Sequence, residues 1–233
     1  IVNGAMLEAI LIKMYSMVGS AAAYEKLEAS FDILEEEYSK GIADAGTYAS
    51  MFSGDPGAVN SSEGIFRLKR VLTDGSVTSG IANEWYAAAV NVEANNVIYM
   101  EMGRSLYNEL DKLDPSKTGQ VRAGVERGDI RYELNVHPDS KVVPNYASLS
   151  AEAYKANDIL AIGKYTGITN RPLMNDVWMF RFSDMLLALA EKRAFEGKNT
   201  GTIALGDYSN VESIIYNIRA NRNYLGQTEP VSM

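Results

Sequence analysis

Apolar residues recur at three- and four-residue spacing at both ends of the chain, and that period predicts helices there. Near the start, Met6, Ile10, Leu11, Met14 and Met17 form one stripe, which Gly19 and Ser20 interrupt. A second stripe follows at Ala23, Leu27, Phe31 and Leu34, completed by Tyr38, with Glu28, Asp32, Glu35 and Glu36 on the other side. Gly41 is the expected terminator, since glycine readily takes the left-handed conformation that closes many helices. The pattern is cleanest near the other end. Residues 177–196 are apolar at Phe180, Met185, Leu186, Leu187, Leu189 and Ala190, and Gly197 closes them. After a linker, Val211, Ile214, Ile215 and Ile218 mark another amphipathic helix, ending in Arg219 and Arg222, whose charge suits the negative end of a helix. Residues 177–222 thus read as a helical hairpin serving as scaffold.

The middle of the chain has a different texture. Gly and Ser punctuate residues 42–90, and between them Gly64, Ile65, Phe66, Arg67, Leu68 and Lys69 alternate apolar with polar like a short strand. Residues 92–113 read as mixed helix, apolar at Val97, Met100, Leu106 and Leu110. Tyr132, Glu133 and Leu134 suggest a short strand, and Ile159, Leu160 and Ile162 another within 158–165. Long loops between few regular elements are uncommon unless they bind or wrap a partner. Three segments follow: 1–41, a helical-repeat hairpin; 42–176, loop-rich with short strands and helices; and 177–233, a C-terminal helical hairpin packed with the rest as one domain. The first two helices are similar to one tetratricopeptide unit, which needs neighbours to cover its faces. A chain that opens directly in a helix, with no leader or initiator Met, reads as a fragment or a processed product.

Composition narrows the function classes. At 46% hydrophobic, 233 residues suffice for a packed core. A net charge of −8 repels phosphate backbones, and no Lys/Arg stripe overrides it, so nucleic-acid binding is disfavoured. Without cysteine there is no disulfide, thiolate metal site or cysteine nucleophile. Glu8 and Lys13 break the first apolar run, which has neither a basic start nor a cleavage site. No segment reaches the ~18 consecutive apolar residues needed to span a bilayer.

The search for catalytic chemistry is negative. His137 precedes Pro138 in a turn-rich stretch, with no nucleophile elbow to pair with it, and is read as a surface residue. Glu35, Glu36 and Glu37 occupy successive helix positions about a hundred degrees apart and do not converge on a metal. Asp114, Ser116, Thr118 and Gly119 imitate the start of a calcium loop, but its twelfth position is Val125 where a bidentate Glu belongs. Asn60, Ser61 and Ser62 match a glycosylation sequon of a kind common by chance. No local pattern selects a carboxylate pair for glycoside hydrolysis. No cofactor, metal or enzymatic activity is expected. Arg181, Asp184 and Glu191 fall on one side of the C-terminal hairpin's first helix, where buried charge is costly unless paired. They are expected to pair with one another or with Arg219 and Arg222.

The segment from Phe180 through Arg181, Phe182, Ser183, Asp184, Met185, Leu186, Leu187 and on to Ala190-Glu191 resembles the R-[YF]-[AS]-D-hydrophobic-Leu-Leu-x-x-Ala-Glu signature of the SusD/RagB family. Other points match in chain order: the Gly4 to Tyr15 helix, Glu63 to Phe66 (E-x-I-[FW]), Asp129 with Arg131 (D-x-R), Lys164-Tyr165 (K-[YF]), and Tyr216 to Arg222. The resemblance covers nearly the whole chain. The family's lipoprotein signal, anchoring cysteine and first helical repeats are absent from this sequence, in keeping with a fragment. The resemblance implies a mostly α fold, with tetratricopeptide-like helical repeats, a loop-rich irregular subdomain and a few short strands. It also implies a surface-exposed outer-membrane protein, lipid-anchored at full length, that binds glycan, or sometimes peptide, and delivers it to a SusC-like TonB-dependent transporter. A helical-repeat adaptor that binds another protein is the competing reading.

Sugar rings stack their apolar faces on aromatics while hydrogen bonds fix their orientation. Loop aromatics are therefore the candidate ligand residues: Trp85 and Tyr86 beside the Gly-rich stretch 74–80, then Tyr146 and Tyr154. Trp85 reads alternatively as a core anchor opening the next helix. Trp178, leading into the hairpin, reads as core.

Overall fold

The computed structural model describes residues 3–52, 61–69, 101–111, 129–137, 140–150, 157–165, 167–168, 171–172 and 175–222. The chain divides into two compact units, one of Ile1–Tyr48, Asn60–Leu68 and Val177–Met233, the other of Ala49–Val59 and Lys69–Asp176. The described residues are mostly helical, with short two-stranded pairings.

In the first unit, α1 (Gly4–Val18) and α2 (Ala21–Glu36) are separated by two residues that do complementary work. Gly19, at φ 62°, closes α1 by donating to the Tyr15 carbonyl, and the Ser20 hydroxyl caps α2 by accepting from the Ala23 amide. α2 buries Ala23, Leu27, Phe31 and Leu34, the stripe its spacing predicts. Its terminator is not Gly41. Ser39 takes the left-handed turn at φ 49°, and the Lys40 amide reaches back to the Leu34 carbonyl at 2.9 Å. Tyr38 lies past the helix and is exposed, not part of the stripe. α1 also departs from its predicted stripe. It buries Ala5, Ala9 and Ile12, and leaves Met14, Met17, Leu7 and Val18 exposed. Being apolar on most sides, α1 is placed by size: its small alanines allow the closest approach to neighbours.

The hairpin predicted over 177–222 begins differently. Residues 177–181 form a strand, β4 (Val177–Arg181), antiparallel to β1 (Gly64–Leu68). Val177, Trp178 and Phe180 are strand-favouring types, and a short apolar run cannot be told from a helical one by period alone. Gly64 is required in this register, because a Cβ there would come within 2.4 Å of the Trp178 ring. α6 (Phe182–Phe195) then carries Phe182, Met185, Leu186 and Leu189 into the core, against Phe31 of α2 and Ile214 of α7 (Val211–Ala220). The rings of Phe31 and Phe182 are 5.0 Å apart. Asn217 ties down the connection before α7, donating to the carbonyls of Ala204 and Asp207 and accepting from the Gly206 amide. A further short helix is α3 (Ala45–Ser50).

The second unit contains α4 (Arg104–Asp111), α5 (Ile130–Asn135), a single 3-10 turn (Tyr146–Ser148) and the paired β2 (Gly167–Ile168) and β3 (Arg171–Pro172). Tyr132 to Leu134 is helical, not the predicted strand. The Asp129 carboxylate decides this by capping the Arg131 amide at 2.9 Å while binding the Arg131 guanidinium. Nor is 158–165 a continuous strand. It makes isolated antiparallel bridges, Ile159 with Lys141 and Ile162 with Val136, and turns at Lys164 and Tyr165. Met102, Tyr107, Leu110 and Leu160 form this unit's core.

Candidate functional site

α4 starts with Arg104, and this side chain organises the best-defined polar cluster of the second unit. Its Nε donates to Asn108 one turn along at 3.1 Å, NH1 to Asp158 Oδ1 at 2.6 Å, and NH2 to the Val143 carbonyl at 3.4 Å. Asp158 comes from the segment that bridges to Lys141, and the Met102 amide just before α4 donates to the Leu160 carbonyl at 2.8 Å, which brings Asp158 beside Arg104. Its Oδ1 also accepts the Val143 amide at 2.9 Å, which fixes the segment leading into the turn that carries Tyr146. The guanidinium carbon lies 4.1 Å from the Tyr146 ring centroid and 5.0 Å from that of Tyr107. Cation–π attraction of this kind orders an otherwise loose tyrosine. Tyr107 donates to Asp111 at 3.0 Å, and burial together with that carboxylate holds its phenol far above the usual range.

Of the four loop aromatics picked out as ligand residues, Tyr146 is the one among the described residues, half-buried and stacked on Arg104. Trp85, Tyr86 and Tyr154 lie outside the described residues, as do Asn60 and the calcium-like stretch 114–119. Arg104 and Asp158 were not found from sequence. They are 54 residues apart, and no local pattern links them.

The signature residues occupy structural positions in the first unit. Arg181 NH2 donates to Asp184 at 3.0 Å and NH1 to the Tyr48 hydroxyl at 3.3 Å. Glu191 pairs with none of the expected arginines. It is exposed and accepts from the Ser16 hydroxyl of α1. Arg219 sits in the last turn of α7. Arg222, just beyond, reaches the fully buried Glu63, with NH2 at 2.6 and 2.7 Å from the two carboxylate oxygens. The Ser183 hydroxyl and the Ala43 amide complete that carboxylate's partners, and the Arg222 guanidinium lies 3.8 Å from the Tyr48 ring centroid. His137 is half-buried, and its amide pairs with the Ala161 carbonyl at 3.0 Å. In the second unit, Lys164 covers the ring of Phe52 at 4.1 Å, and Tyr165, at φ 66°, meets the same ring edge-on at 5.3 Å.

No family model matches the chain, and no curated protein matches it. Among solved structures, the 1.49 Å crystal structure of a SusD superfamily protein from Bacteroides thetaiotaomicron superposes with a TM-score of 0.60 and 18% identity. The match covers 95% of this chain and 42% of that one, so the chain spans less than half the length of the protein it resembles. The fold is the mostly helical SusD-like one.

Proposed function

We propose, for a chain with the SusD-like fold, that the protein is a non-catalytic binding subunit for oligosaccharide or polysaccharide nutrient. In this reading it works at the cell surface, lipid-anchored to the outer membrane at full length, and delivers its ligand to a SusC-like TonB-dependent transporter. The observation that supports it most is the backbone likeness to a SusD superfamily protein over 95% of the chain. The chemistry is compatible: the Tyr146 and Arg104 stack pairs an aromatic ring with hydrogen-bond donors, the usual elements of sugar recognition. Of the signature carboxylates, Asp184 is held by Arg181. Among the described residues no helix is long and apolar enough to cross a membrane.

Native affinity electrophoresis tests this reading. A polysaccharide cast into the gel is expected to retard the protein, and Trp85→Ala to abolish the retardation. Absence of retardation across a broad glycan panel sinks it. Reducing sugar released from such a glycan, and surviving repurification, replaces it with a hydrolase. The exposed stripe Leu7, Met14 and Val18 on α1 favours a second reading, a helical-repeat adaptor or peptide-binding member, and large exposed apolar patches do mark partner surfaces. Binding to a peptide library with none to glycans would establish it.

A further inference from the structure

We infer that the outer face of the α1–α2 hairpin is a docking surface for an amphipathic helix of a partner protein. That helix is apolar along one side and carries Lys or Arg along its flank. On α1, Leu7, Met14 and Val18 are each more than half exposed, and half-buried Leu11 lies between the first two of them. Spacings of four, three and four residues set them on one side of the helix, in a stripe about 16 Å long. Ala5, Ala9 and Ile12 bury the opposite side. On α2, Glu25, Ala29, Asp32 and Glu36 repeat the same spacing, and all four are exposed. Tyr38 beside Gly4 and Tyr24 beside Gly19 hold the hairpin together at its two ends, and Lys26 sits over the Tyr15 ring between them. Tyr15 and Lys26 directly follow Met14 and Glu25, so the apolar and acidic stripes flank one seam and run alongside each other.

Single exposed apolar side chains are ordinary, but a run of them along one side of a helix, rimmed by charge, marks a partner surface. A straight stripe with this spacing suits another helix, whose own side chains fill the gaps between these. The carboxylates decide the charge of that helix. Glu28 is already bound by Lys192 and Arg193. Among the described residues, Glu25, Asp32 and Glu36 form no ion pair. Partial burial and then the charges of Glu28 and Glu36 raise the Asp32 carboxyl above its ordinary value. Like charges four residues apart destabilise a helix, so a cation laid along this side relieves a cost already present. A second copy does not supply it, because the chain has no Lys/Arg stripe and a net charge of −8. Anionic lipid and nucleic acid are repelled for the same reason. A helix with an apolar side and a basic flank meets both stripes at once.

The test is fluorescence anisotropy with labelled peptides of about 18 residues, long enough to cover the stripe. The first is a Leu/Lys helix with its leucines on one side, the second has the same composition in scrambled order, and the third carries Glu in place of Lys. The first is expected to bind about tenfold more tightly than either control, and to weaken as salt rises. In a chain without cysteine, Met17→Cys can carry an environment-sensitive dye, whose emission should shift to the blue when that peptide binds. Leu7→Gln with Met14→Gln should weaken binding about tenfold. Glu25→Gln, Asp32→Asn and Glu36→Gln together should weaken it and flatten its salt dependence. Thermal unfolding confirms that each variant is folded. No binding of the Leu/Lys helix, equal binding of the scrambled peptide, or binding that neither set of substitutions weakens overturns the docking surface. A dimer seen by sedimentation and dissociated by Met14→Gln also overturns it, since the occupant is then a second copy. None of these residues belongs to the Arg104–Tyr146 cluster, so loss of peptide binding and loss of glycan retention are separate outcomes.

Discussion

Glu63 is fully buried, and three groups converge on its carboxylate: the Ala43 amide, the Ser183 hydroxyl and the Arg222 guanidinium. Removing its charge strands Arg222, which is itself 2% exposed. Glu63→Gln is therefore expected to destabilise the protein by about 3–5 kcal/mol, read from the urea midpoint, because an unpaired buried charge costs more than a neutral pair would. At the junction of α2 and α6 the charges are more open. Glu28 joins Lys192 at 2.7 Å and Arg193 at 2.6 Å, and Lys192 also binds Glu196. The hydrogen bond from Lys192 holds the Glu196 carboxyl down at about 2. Burial raises Glu28, but Arg193 and Lys192 more than reverse this, so it too is lowered. A carboxyl lowered on folding adds stability above its unfolded value near about 4.3 and loses that contribution as pH falls through the folded value. Stability should thus drop between about pH 4.5 and 2, and Glu196→Gln should flatten that limb in acid-unfolding curves. Asp32 and Glu35, raised mainly by burial, act with the opposite sign and offset part of the drop. Of these residues, Glu63 stood inside a motif visible in the sequence. Asp158 and Arg104 did not, because their meeting depends on pairings between distant segments.

Among the elements, α2 was legible because one face is apolar and the other acidic, so period and burial agree. α1 was legible as a helix but not in its buried face. Its apolar residues surround it, and the small alanines that let neighbours approach are not the residues that stand out by hydrophobicity. β4 was hidden inside a longer apolar run. What makes it a strand is β1, a distant stretch of the chain by the register of Leu68 with Val177 and Gly64 with Arg181, and no local window contains that information. The separation runs from 109 positions at the first of these pairs to 117 at the second. α5 turned on a single cap, Asp129. Gly64 offers a direct check on the β1–β4 register. Gly64→Ala drives a methyl into the Trp178 ring, so a loss of about 1–3 kcal/mol is expected, the usual cost of overpacking. A shift in Trp178 fluorescence, read in a Trp85→Phe background, should accompany it. Unchanged stability and emission would contradict the register.

For the molecule as a whole, several of the residues by which the chain resembles the SusD/RagB family make contacts within the fold. Arg181 with Asp184, Asp129 with Arg131, and Lys164 with Tyr165 against Phe52 are all internal contacts. This explains why fold was readable and ligand was not. Packing repeats the same local solutions, whereas recognition draws on loop residues whose partners are set by tertiary structure. On the proposed function, the protein binds a glycan and leaves it intact. Calorimetric titration of a neutral glycan into the protein tests both halves at once. The expected result is heats that decline to the dilution baseline as the site saturates, with the glycan recovered unchanged. Heat that persists after saturation would mean turnover, and no heat with any glycan would mean that the ligand is of another kind; either overturns the proposed function.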